Sequence, residues 1–150
     1  MKKALIVSNS SGLVTLFLDN DVRILKELGF EVECACNTKY PDKNTDEFFD
    51  TYKIKVHHID FPIRELNPKL LLCAYKKLNK LIKEGNYQIV HCHSTIAAAL
   101  TRQCTKNNKK IKVIYTSHGF PFYEGNKGKK AKLFYAVENY YSKYTNAILT

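Results

Sequence analysis

Three groups of side chains in this 150-residue sequence have the means for chemistry, and each follows an apolar run. The first lies in residues 112–125, K-V-I-Y-T-S-H-G-F-P-F-Y-E-G, where β-branched residues give way to His118, glycine, aromatics and proline. A histidine at the end of a strand can hydrogen-bond a ligand or move a proton near neutral pH, or simply lead a buried chain into a turn. The second is H-C-H-S at 91–94. Side chains alternate along a strand, so His91 and His93 share one side of it. With His118 they suggest either a three-histidine metal site or a set of hydrogen-bonding groups. His91 sits deeper in the strand, and no carboxylate or fourth ligand stands at a useful spacing. That favours His93 and Ser94 as hydrogen-bonding groups at the rim and His91 as structural. The third is Ser8-Asn9-Ser10-Ser11-Gly12, directly before a helical pattern. Free amides at a helix start attract anions, so this is either a phosphate cradle or a plain strand-to-helix turn. It lacks the G-x-G-x-x-G fingerprint of dinucleotide binding.

A fourth stretch mixes rings and charge. Phe120, Phe122 and Tyr123 are followed by Lys127, Lys129, Lys130 and Lys132. Such a mixture suits an anionic membrane surface, where rings insert and ammonium groups meet phosphates. It equally suits a loop that packs its own aromatics beside a solvated helix start. Glu138 falls between the aromatic positions of the last helical pattern, with no partner legible.

The elements that must position these groups alternate regularly. Apolar runs at 3–7, 31–36, 55–60, 88–93, 112–116 and 147–149 read as strands. Between them, Leu16, Phe17, Asn20, Ile24, Leu25 and Leu28 near helical spacing predict a single helix over 13–28, with Gly29 as its stop. A brief helix is expected around Phe48-Phe49. A clear one runs from the Asn67 cap and Pro68 to Gly85, with its lysines facing water, and an alanine-rich one covers 95–105. The last, over 128–144, carries a stripe of Phe134, Val137, Tyr140, Tyr141 and Tyr144. The alternation predicts an α/β fold, a Rossmann-like doubly wound parallel sheet over residues 1–150. In the order 3-2-1-4-5-6, strands one and four are neighbours, and the loops at 8–12, 93–95 and 118 share one rim.

Composition narrows the partners. Hydrophobic residues make up 45% of the chain, enough for one core without staples, and no apolar run could span a bilayer. No export signal opens the sequence, which suggests a cytoplasmic protein. The five cysteines form no C-x-x-C pair and read as reduced, buried thiols. A net charge of +10, almost all from lysine, attracts polyanions. Arginine, the residue of bidentate base contacts, is scarce, so nucleic acid is not expected as a partner.

Taken together, K-K-A-L-I-V-S at 2–8, I-V-H-C-H-S at 89–94, V-I-Y-T-S-H-G-F at 113–120 and E-N-Y-Y-S-K-Y-T-N-A-I-L-T at 138–150 resemble the N-terminal domain of family 4 glycosyltransferases, closest to those that build bacterial capsule and exopolysaccharide. The resemblance implies the acceptor-binding half of a two-domain GT-B hexosyltransferase. Such an enzyme moves a sugar from a nucleotide-sugar to a lipid-linked glycan acceptor at the inner face of the plasma membrane. It would retain configuration, with no metal or cofactor. Ser11 and Gly12 would then approach the donor diphosphate, and His118 would be the catalytic contact to the transferred sugar. His93, Ser94, Phe120 and Tyr123 would line the acceptor side. The resemblance also implies a C-terminal donor domain, in cis or in trans, without which this chain should not transfer sugar. The sequence ends inside an expected strand, as a piece of a longer protein would. A stand-alone membrane-recruiting subunit and a nucleotide-sugar epimerase of the same fold are the alternatives.

Overall fold

A computed structural model describes residues 1–63, 66–120, 122 and 128–150. The chain runs β1 (Lys2–Val7), α1 (Ser11–Phe17), α2 (Asp19–Glu27), β2 (Phe30–Cys36), α3 (Thr45–Thr51) and β3 (Lys55–His58). It continues through α4 (Pro68–Glu84), β4 (Ile89–His93), α5 (Thr95–Thr105), β5 (Lys112–Thr116), α6 (Lys129–Ser142) and β6 (Ala147–Leu149). All pairings are parallel, in the expected order β3-β2-β1-β4-β5-β6. β1 and β4 lie side by side, with Ala4 opposite Ile89 and Val7 opposite Cys92. Sheet growth reverses direction between them, which opens a crevice beyond their carboxyl ends.

Each face of the sheet has its own core. Alternation along β1 sends Leu5 and Val7 toward Leu78 and Ile82 of α4 and Ala97 and Ala98 of α5. Ala4 and Ile6 point the other way, into Val14, Leu18, Val22 and Leu25 of the α1–α2 segment. Because both faces are covered, the central strands are apolar on both sides. Helix α4 starts as expected, with the Asn67 side chain accepting from the amides of Lys69 and Leu70 and Pro68 in the first turn.

Three expectations are corrected. The single helix over 13–28 is two, broken at Leu18 (φ −110°, ψ 16°), which ends α1 by donating its amide to Val14 and accepts from Val22 to start α2. The side facing the sheet is Val14, Leu18, Val22 and Leu25, while Leu16 and Phe17 are each 62% exposed and Ile24 and Leu28 also face outward. Both stripes have helical spacing, and only the position of the sheet selects between them. In α6 the buried residues are Ala131 and Glu138, with Phe134, Val137, Tyr141 and Tyr144 half-buried and Tyr140 exposed. A buried arginine in α5 rotates that helix so that its carboxylate faces inward. Finally, all five cysteines are free, but Cys73 is exposed.

Candidate functional site

The rim at the carboxyl ends of β1, β4 and β5 is built from short loops that have little freedom. After β4, Ser94 takes φ 62° and ψ 144° to turn the chain into α5, a conformation that costs a non-glycine residue about 1–3 kcal/mol. After β5, Gly119 sits at φ 119°, which only a residue without Cβ adopts easily, and this swings His118 outward. Between these loops lies a cleft of about 250 Å³ lined by Asn9, Ser94, Thr95, Ser117 and His118. Tyr115 and Phe134 supply its apolar wall, and no charged side chain lines it among the described residues.

Three imidazoles run from the sheet to the rim. His91 and His93 rings are 4.2 Å apart and His93 and His118 rings 5.5 Å apart, with the exposed Phe17 ring 5.6 Å from His118. His93 Nδ1 and His118 Nε2 lie at 3.3 Å, so one donates to the other and each fixes its partner's tautomer. His93 is fully buried, and burial, reinforced by its two histidine neighbours, holds its pKa down at about 2. It is therefore a neutral group at physiological pH. Burial likewise lowers His91, against the pull of Asp21, whose carboxylate stands 3.4 Å from Nδ1. The other nitrogen of His91 meets Thr116 Oγ1 at 2.8 Å.

Asp21 corrects the expectation that no carboxylate reaches the histidines. It comes from α2, seventy residues away in sequence, which packs against β2 on the same face of the sheet. One ligand atom each from Asp21, His91 and His93 lie within 4.8 Å of one another, so this set could hold a divalent ion. Three ligands are one short of a closed tetrahedral zinc site.

Among the described residues, buried polar side-chain atoms without a partner concentrate at this rim, as Ser8 Oγ, Asn9 Oδ1, Ser11 Oγ, Ser94 Oγ and His93 Nε2, the one other being Arg102 Nη2 in α5. A desolvated donor or acceptor left unpaired costs about 1–3 kcal/mol, and such groups call for an explanation. The chemistry at the rim is uniform: hydroxyls, an amide oxygen and a neutral imidazole. Asn9 and Ser94, which line the cleft, are suited to a neutral ligand rich in hydroxyl groups.

The phosphate cradle expected at Ser11 and Gly12 is not offered. The Ser11 amide donates to the Asn37 carbonyl (3.1 Å), Gly12 to Tyr40 (2.9 Å), and Leu13 to Ser10 Oγ (3.3 Å). The amides of Ser11, Gly12 and Leu13 are therefore already engaged. Gly12 serves close packing instead: a Cβ there would meet the Tyr40 carbonyl at 3.1 Å and the Asp42 amide at 3.2 Å.

Of the remaining candidates, Ser94 lines the cleft and His93 lies beneath it. Phe120 turns away, edge-on to Tyr115 (6.4 Å) and stacked on Phe122 (4.9 Å), which meets Tyr135 edge-on (5.4 Å). These two rings pack on their own fold. Lys129, Lys130 and Lys132 are exposed at the start of α6, and Tyr123 and Lys127 lie outside the described residues. Asn9, Thr95 and Ser117 lie inside the stretches that the sequence marks, but nothing in it assigned them individual roles. Sequence reasoning missed the partner of Glu138. Arg102, fully buried in α5, donates from Nη1 to Glu138 (2.8 Å) and stacks over Tyr115 at 4.4 Å, while the Tyr115 hydroxyl donates to the same carboxylate (3.2 Å). Glu138 thus positions a wall of the cleft.

Residues 3–150 match the family described as glycosyl transferase 4-like. EpsD of Bacillus subtilis (strain 168), named as a glycosyltransferase, is 34% identical over 129 residues, covering 83% of this chain and 31% of EpsD. Among solved structures, Acinetobacter baumannii MurG superposes with a TM-score of 0.65 at 13% identity, over 99% of this chain and 40% of MurG. A UDP-N-acetylglucosamine 2-epimerase does so at 0.67 and 14% identity, over 99% of this chain and 41% of that enzyme. The chain therefore spans well under half of each of these proteins.

Proposed function

This chain belongs to the glycosyl transferase 4-like family, and from that premise we propose that it is the acceptor-binding half of a retaining glycosyltransferase. The observation that carries the reading is the gathering of unpartnered, uncharged polar atoms at the switch-point rim, next to an exposed histidine. Sugar hydroxyls both donate and accept, and so match Asn9 and Ser94, the two of these residues that line the cleft, while Ser8, Ser11 and His93 lie buried behind it. In this reading, His118 contacts the transferred sugar with the ring nitrogen that His93 leaves open. His93, buried and neutral, holds the imidazole at the angle the reaction needs, and Ser94 and Asn9 take acceptor hydroxyls. The leaving diphosphate is stabilised by groups outside this half, because the amides of Ser11 and Gly12 are spent. A C-terminal donor domain, in cis or in trans, supplies them together with the nucleotide-sugar.

The acceptor is a lipid-linked glycan of a surface polysaccharide, and the exposed Lys129, Lys130 and Lys132 face an anionic membrane at the inner leaflet. No helix among the described residues is long and apolar enough to cross a membrane. No metal takes part in the proposed transfer.

The test is transfer of radiolabelled sugar from nucleotide-sugars to a lipid-linked acceptor by the protein joined with its donor domain. His118→Ala should lower the rate by on the order of 10²-fold, the scale for a lost transition-state hydrogen bond, without changing the fold. Unchanged transfer would remove His118 from the site. The likeness to the epimerase supports a second reading, nucleotide-sugar epimerisation, which predicts donor turnover with no acceptor product.

A further inference from the structure

A second and larger cavity lies beside the rim cleft, at the carboxyl ends of β2 and β3. It measures about 560 Å³, has Asn37 and Phe61 at its base, Tyr40 and Leu70 on its walls, and Lys39 and Asp60 as its charged groups. Ile63 lines this groove and the rim cleft alike. The two cavities therefore meet across one side chain.

The groove is preformed. The Asn37 side chain donates to the Phe61 carbonyl (3.1 Å) and accepts from the Lys39 amide (3.1 Å), joining the loops after β2 and β3. The amides of Ser11 and Gly12 bind the carbonyls of Asn37 and Tyr40, and the absence of a side chain at Gly12 lets loop 40–42 close in. The stretch that resembles a phosphate loop thus fixes the groove wall. Lys39 Nζ meets Asp60 Oδ1 at 2.6 Å, and His58 and Lys77 hold the carboxylate at 3.1 and 3.7 Å. The hydrogen bond from Lys39 keeps Asp60 ionised below the usual carboxylate range. Tyr40 and Leu70, on opposite walls, are 54% and 42% exposed.

We infer that this groove is a second saccharide subsite, holding an uncharged pyranose unit next to the one at His118. The inference rests on the transferase reading for the order of the units, and it adds that the ligand is a glycan of at least two residues. A carboxylate beside an ammonium offers one acceptor and one donor, which suits neighbouring sugar hydroxyls. The apolar face of the ring lies against Tyr40. Lys39 and Asp60, the two charged groups lining the groove, neutralise each other, so together they offer a phosphate or uronate no net counter-charge.

The test is a binding array of neutral and acidic oligosaccharides with their matching monosaccharides, probed with the protein and its variants. Neutral glycans of two or more units should be held on the order of tenfold more tightly than the monosaccharides, the scale of one charge-assisted hydrogen bond. Tyr40→Ala, Asp60→Asn and Lys39→Gln should each erase that margin, with thermal unfolding checking that each variant folds. Lys55→Gln, which removes a lysine that lines neither cavity, should leave the margin intact. Transfer lost with the margin intact overturns nothing here, whereas a margin absent in the parent protein, surviving in Tyr40→Ala and Asp60→Asn, or favouring acidic glycans overturns the subsite.

Discussion

The two ends of the sheet treat buried polar groups in opposite ways. Near the amino ends of the strands, Glu33 of β2 is almost fully buried and fully satisfied: Lys3 Nζ reaches it at 2.8 Å, the Tyr87 hydroxyl at 2.7 Å, and His57 closes the set. Burial pushes its carboxyl up, but the hydrogen bonds from Lys3, Tyr87 and His57 outweigh that and hold the pKa at about 2. At the carboxyl ends, five atoms of similar burial have no partner. Satisfied polar clusters of this sort lock a fold together, and unsatisfied ones cost stability until something binds. The contrast separates structure from function without any appeal to motif.

The largest effect should come from the buried Arg102–Glu138 pair. Glu138→Ala leaves Arg102 as an unpaired buried cation and should cost about 3–5 kcal/mol in urea unfolding. A loss below 1 kcal/mol would mean that the pair is not held as described. Next comes acid sensitivity. The folded pKa of Glu33 lies at about 2, below its ordinary 4.5, so the unfolded chain takes up the proton first as pH falls. The stabilisation is complete above pH 4.5 and lost progressively from there to about 2, with a total of about 3 kcal/mol. Urea midpoints measured across that window should lose this slope in Glu33→Gln. At the rim the order reverses. His118→Ala should leave the unfolding midpoint in place while transfer falls on the order of 10²-fold. The smallest effect should be Ser94→Gly, which relieves the left-handed backbone and should raise stability by about 1 kcal/mol while weakening glycan binding. A loss of stability there would mean that the Ser94 turn is not strained.

Much of the architecture was legible because its signals are local. Continuous apolar runs marked two-sided strands, Asn67-Pro68 marked the start of α4, and alternation put His91 and His93 together. What failed depended on partners remote in sequence. Nothing near Ser11 and Gly12 announces that the loop after β2 will consume their amides. Nothing near His91 announces Asp21, and Glu138 could not be interpreted without Arg102, thirty-six residues earlier. The helical stripe over 13–28 was misassigned for the same reason: two faces were apolar, and the sheet lies against one of them.

The break at Leu18 has a mechanical side. It detaches seven residues from a longer rod, and the last of them carries the Phe17 ring to within 5.6 Å of the His118 ring. A continuous helix would tie that ring to α2 and the sheet. Leu18 instead turns the chain, and α1, anchored in the core by Val14 and tied to the loop after β2 through Ser11 and Gly12, holds the Phe17 ring against the rim histidine.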